Sequence, residues 1–142
     1  MKFKLMVILI ILIHFPNAVF SEENNIKTTG IYSSLKYSEG PGDIAGTEIF
    51  ILKGGDSDEY YLLFQEAEGW TKPPILLKPK VINNIIGFEV TQTGYGPNRK
   101  KSVQIITYTG KFTKNGLELE GHNTQTKYKW KEFLIRKNSY WQ

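Results

Sequence analysis

Apolar and polar positions alternate with a period of two along most of this chain, and that period predicts strands rather than helices. Residues 103–112, VQIITYTGKF, are rich in β-branched and aromatic side chains, and Leu117-Glu118-Leu119-Glu120 alternates apolar with charged. Between them, Lys114-Asn115-Gly116 supplies an Asn-Gly step that accepts the positive φ values of a tight hairpin. A second hairpin is predicted from residues 47–53 to 59–66 through Gly54-Gly55-Asp56-Ser57-Asp58. A third turns at Asn83-Asn84, between Val81-Ile82 and residues 85–92. Strands over 31–38, 75–81 and 128–136 bring the count to about eight, and no long amphipathic helix competes with them.

Sequential hairpins with short turns predict an all-β fold, a single antiparallel up-and-down barrel of about eight strands, with an open β-sandwich as the alternative. Closure removes exposed edges, so the last strand (128–136) is expected to pair back with the first (30–38). Tyr140 and Trp141 then cap the barrel end. In the last strand Lys127, Lys129 and Lys131 alternate with Tyr128 and Trp130, which predicts the rings inside and the ammonium groups in water. Phe133-Leu134-Ile135 breaks that alternation, and a bulge near Glu132 would account for the shift.

The amino terminus changes the picture from shape to compartment. Lys2 and Lys4, the apolar run over residues 5–13 and the small-residue site at Val19-Phe20-Ser21 read as a signal peptide over residues 1–21. The run is broken by His14, Pro16 and Asn17, and a spanning helix needs ~20 predominantly apolar residues, so a membrane anchor fits less well. Residues 22–142 then form one exported β-barrel domain, periplasmic or secreted, with no stable membrane span after cleavage. The chain has no cysteine, so disulfides and a lipidated amino-terminal cysteine are excluded. Losing two of 18 basic residues with the signal leaves 16 against 14 acidic ones, too slight an excess to point to nucleic acid.

Candidate chemistry is sparse. With the signal removed, His122 is the remaining histidine, in the polar stretch GHNTQTK without a nucleophile elbow, and zinc sites built from histidine and cysteine are excluded by count. Asp56-Ser57-Asp58-Glu59 lacks the ligand ladder of a calcium loop and reads as an acidic hairpin tip. Glu66 and Glu68 share one strand face and are the alternative acid and base of a hydrolase, with His122 the other candidate base. No metal and no cofactor is expected.

Aromatics and loops carry more. Trp70 lies between Gly69 and Thr71-Lys72-Pro73-Pro74, where it either caps the core or anchors a partner. Residues 93–102, TGYGPNRKKS, join Tyr95 to the cations Arg99, Lys100 and Lys101 in one predicted loop, a recognition surface for an anionic partner or a solvated turn. Tyr32 and Trp130 complete the candidate contacts.

Gly30-Ile31-Tyr32 at the start of the first strand and Arg136 at the end of the last resemble the glycine-x-aromatic start and terminal basic residue of the lipocalin and avidin type of small exported barrel. The resemblance implies a β-barrel, a binding role and a basic side chain packed across the first-strand aromatic; the family's usual tryptophan is Tyr32 here. The expected function is therefore an exported non-enzymatic binding module, a small-ligand carrier or envelope accessory protein, with a protein-binding inhibitor acting through loops as the alternative. Its partner is expected to be a small apolar molecule or another envelope or extracellular protein. The export reading predicts that protein recovered from an envelope or culture fraction begins near Glu22 on amino-terminal sequencing; an intact Met1 on a membrane-embedded product would contradict it.

Overall fold

Strand-forming sequence meets a turn signal about every ten residues, and the chain answers with antiparallel pairing throughout. The computed structural model describes residues 26–37, 43–55, 58–95 and 101–138. The leader over 1–21, Arg99, Lys100, Tyr140 and Trp141 lie outside these residues. Ten strands form one antiparallel sheet, and no helix occurs among the described residues. They are β1 (Gly30–Ser33), β2 (Lys36–Tyr37), β3 (Ile44–Lys53), β4 (Tyr60–Thr71), β5 (Ile75–Leu77), β6 (Lys80–Ile82), β7 (Ile85–Tyr95), β8 (Lys101–Phe112), β9 (Gly116–Asn123) and β10 (Lys129–Lys137).

The hydrogen-bonded path runs β5-β4-β3-β1-β10-β9-β8-β7-β6, with β2 continuing the line of β1 against β3. Neighbours are consecutive in sequence except at β3–β1, where β2 intervenes, and where β1 meets β10, the expected pairing of first and last strands. Ile31 lies opposite Lys137, Tyr32 opposite Arg136 and Ser33 opposite Ile135. The sheet curls into a half-barrel whose distant strands face one another. Phe64 on β4 reaches Phe88 on β7 at 5.7 Å and Tyr108 on β8 at 5.1 Å between ring centroids.

Among the described residues the hydrogen-bonded wall is open between β5 and β6. The sequence reads as one strand there, but it splits at Lys78-Pro79: β5 pairs with β4, and β6 pairs with β7. Proline has no N–H to give either ladder, so the strand changes partner across it. The predicted first strand also splits, at Ser34-Leu35, although the register against β3 is the same on both sides.

Inward positions follow strict alternation. On β3 they are Thr47, Ile49 and Ile51, on β8 Ile106, Tyr108, Gly110 and Phe112, on β9 Leu117 and Leu119. Fourteen buried apolar residues fill the interior as one cluster. The register of β10 against β9 is uniform from Lys129 to Ile135, so the expected bulge at Glu132 is absent. Glu132 stays on the inner face, and Phe133 and Ile135 point outward and are exposed. The pattern misled because two of three consecutive apolar residues lie on the solvent side, which a folded surface tolerates. Tyr128, expected inside, is exposed as well.

The hairpins occur where expected but with exchanged roles. Asn83 and Asn84 have φ of 47° and 63°, the left-handed pair of a two-residue hairpin between Ile82 and Ile85. Among the described residues, positive φ does not occur at Asn115 or Gly116. Thr113 closes that turn instead, donating its N–H to the Gly116 carbonyl at 2.8 Å and accepting the Gly116 N–H on Oγ1 at 3.1 Å. Gly116 is required by space: a Cβ there would lie 2.1 Å from the Leu134 carbonyl oxygen. Gly116→Ala and Gly116→Asn should therefore each destabilise by ~1–3 kcal/mol through overpacking. Asn84→Gly should stay within ~1 kcal/mol of the parent, because glycine accepts positive φ. Denaturant midpoints check both, and a neutral Gly116→Asn would restore the positive-φ turn.

Candidate functional site

The up-and-down order gathers the C-terminal ends of β4 and β7 and the N-terminal ends of β3, β8 and β10 at one end of the half-barrel. Tyr37 on β2 lies opposite Ile44, which lies opposite Gly69 beside Trp70, and Tyr95 lies opposite Lys101. The other end is plugged. Tyr32 packs on Phe112 at 5.5 Å and donates its hydroxyl to the Lys27 carbonyl at 2.6 Å. Arg136 Nη2 donates to the Thr29 carbonyl at 3.2 Å, and its buried Nε has no partner among the described residues. Arg136 lies directly opposite Tyr32 in the β1–β10 ladder.

At the open end a mouth of about 510 Å³ is lined by Gly46, Thr47, Glu66, Gln92, Trp130 and Glu132, among others. Buried behind these residues is Tyr108, stacked on Phe88 at 5.0 Å and meeting Trp130 edge-on at 5.8 Å and 88°. The Tyr108 hydroxyl donates to Glu66 Oε1 at 3.0 Å, while Gln92 Nε2 at 2.6 Å and Lys72 Nζ at 3.3 Å both donate to Oε2. Burial first, and the Glu66 charge second, push the Tyr108 phenol far above its ordinary range. Across the mouth Ser34 Oγ donates to Glu132 Oε1. Gly46, at φ 123°, makes room for Ser34, whose carbonyl oxygen would lie 2.8 Å from a Cβ there. Trp130 needs a glycine too: its indole lies against Gly121, where a Cβ would come within 2.3 Å of the ring.

The sequence-predicted residues separate cleanly. Trp70 is 77% exposed, so it caps no core. Trp130 is half-buried in the mouth, and Tyr128 stacks on it at 5.8 Å and 21° while remaining 65% exposed. Tyr37 is 67% exposed at the same end. Tyr95 ends β7 and Lys101 begins β8, so the predicted ten-residue loop is partly strand; Arg99 and Lys100 fall between them, outside the described residues. Tyr32 is fully buried at the plugged end, far from a role as a mouth contact.

The hydrolase candidates are also dispersed. Glu66 and Glu68 do share a face, but one ammonium, that of Lys72, bridges them at 3.3 and 3.8 Å, and the Glu68 side chain is 88% exposed. His122 sits within β9, opposite Lys129 and Thr107 on the outward face, not in a loop. The turn lies after it, where Asn123 Oδ1 accepts the N–H groups of Gln125 and Thr126 at 3.0 Å each. The mouth can therefore hold a hydrogen-bonding or positively charged group beneath an indole.

Sequence reading missed Tyr37, Gln92, Tyr108 and Glu132. The phase of β7 and β8 would have found Gln92 and Tyr108, since each shares the parity of its strand's buried residues. No family model, curated protein or solved structure matches the chain.

The buried phenols generate a pH prediction. Tyr108 and Tyr32 both have folded-state pKa values above the ordinary 10.0, each chiefly through burial, so their contribution is present below about pH 10 and is lost as pH rises beyond it. Tyr108→Phe should cost ~1–3 kcal/mol at neutral pH, because Glu66 loses a donor, and should flatten the alkaline decline. Urea melts between pH 7 and 11 check it; an undiminished alkaline slope would contradict the assignment.

Proposed function

We propose that this chain is an exported, non-enzymatic binding module that engages another envelope or extracellular protein through the open end of its half-barrel. The observation that carries the reading is that Tyr37, Trp70 and Tyr128, all exposed, stand at the same end of the half-barrel as the half-buried Trp130 that lines its mouth. Exposed aromatics are costly to leave in water and are the side chains on which protein contacts most often depend. The filled interior supports a protein partner over a small apolar molecule, since a carrier needs an enclosed chamber and here Tyr108, Phe88 and Phe64 occupy that space. The hydrolase alternative has less behind it: each carboxylate oxygen of Glu66 already accepts a hydrogen bond inside the chain. Export rests on the leader read over residues 1–21, and the resemblance to lipocalin and avidin barrels rests on Gly30-Ile31-Tyr32 and Arg136.

Photo-cross-linking in the native host tests the reading. A benzoylphenylalanine at position 70 should yield a discrete protein adduct in the envelope or culture fraction, and one at position 133, on the outer wall, should not. Equal adducts from both positions, or tight one-to-one binding of a fluorescent fatty acid that survives Trp70→Ala, would contradict it.

A further inference from the structure

β7 is longer than the strand that pairs with its outer edge. β6 covers only Ile85 to Gly87, whereas β7 continues to Tyr95. Phe112 N–H donates to the Asn84 carbonyl at 2.9 Å, in the same register as the whole β7–β8 ladder. That bond fixes the alternation: even-numbered residues of β7 turn their N–H and C=O groups toward β8, and odd-numbered residues turn theirs toward β6. Beyond Gly87 the odd-numbered residues include Glu89, Thr91 and Thr93, and no strand lies opposite them among the described residues.

The facing edge of β4 is covered. Lys72 N–H donates to the Glu66 carbonyl at 2.8 Å, and Gln65 Nε2 donates to the Lys72 carbonyl at 2.8 Å. Between this covered edge and the bare one runs a slot of about 300 Å³, with Phe64, Pro73 and Ile75 on one bank and Thr91, Gln92 and Thr93 on the other. The adjoining segment does not fill this space itself, because Pro73 and Pro74 bring no N–H donors to it. With a bank on each side, the slot favours a single added segment over the broader sheet of a second copy.

We propose that β7 from Glu89 to Thr93 is a strand-addition site for an extended peptide segment of a partner protein. The segment continues the line of β6, antiparallel to β7, and exchanges backbone hydrogen bonds with Glu89, Thr91 and Thr93. Its residue opposite Gln92 faces inward and is apolar, entering the slot against Phe64 and Ile75. The site adjoins the aromatic rim but does not depend on it.

Peptides selected from a random heptapeptide phage library on the full chain provide the test, read by amide hydrogen exchange and by affinity. Thr91→Pro removes an outward N–H without touching the β8 ladder, and prolines of that kind are tolerated on strand edges. Selected peptides should protect the amides of Glu89, Thr91 and Thr93 and should bind Thr91→Pro at least tenfold more weakly, with Trp70→Ala unchanged. Thr93→Pro serves as a second variant if Thr91→Pro does not melt cooperatively. Recovery of no binder, or of binders indifferent to proline, overturns the proposal. Loss on Trp70→Ala alone moves recognition to the rim. Concentration-dependent protection of the same amides without peptide, together with a dimer on sizing, assigns the edge to a second copy instead.

Discussion

Pairing of the first strand with the last is the constraint on which the rest of this structure depends. Arg136 N–H donates to the Asn115 carbonyl, so even-numbered residues of β10 face β9 and odd-numbered ones face β1. The joint between the two chain ends is thus made by two residue pairs, Ile31 with Lys137 and Ser33 with Ile135. Each such ladder bond contributes a net ~0.5–1.5 kcal/mol, and burial of the adjoining Tyr32 and Leu134 side chains adds ~1.5–3 kcal/mol each. Without this joint, β1 to β5 and β6 to β10 would be two separate sheets connected at Lys78-Pro79.

Because the chain ends are joined, the discontinuity in the wall falls between β5 and β6, where proline stands. Below the mouth the interior holds the aromatic stack of Phe64, Phe88 and Tyr108. Above it, Glu66 accepts from three donors and Trp130 lies against Gly121, so contacts within the chain set the positions of both side chains. Preorganisation of that kind lowers the entropy cost of association. In the binding we propose, the rim aromatics would supply apolar contact and the bare edge of β7 backbone hydrogen bonds.

Strand positions, hairpin sites and the meeting of the chain ends were legible in the sequence because period-two alternation and Asn or Gly turns are local signals. What escaped was set by partners distant in sequence. Gly116 reads as a turn glycine until the Leu134 carbonyl is brought against it. Glu132 reads as the start of a phase shift until Ser34, 98 residues away, is found beside it. The split at Pro79 depends on which neighbour each half-strand finds, which no local pattern specifies. Of the candidate contacts, Trp70 and Trp130 reach the mouth end, whereas Tyr32 was drawn to the plug by its pairing with Arg136.

Native-state hydrogen exchange at the amides of Ser33 and Ile135 tests the central claim most directly. If the β1–β10 joint holds the half-barrel together, both amides exchange only through global unfolding, with an opening free energy equal to that from denaturant melts and the same denaturant dependence. Exchange at either amide through a low-energy, denaturant-independent opening, while the β8–β9 ladder remains protected, would show that the ends are not joined in solution and would contradict the account.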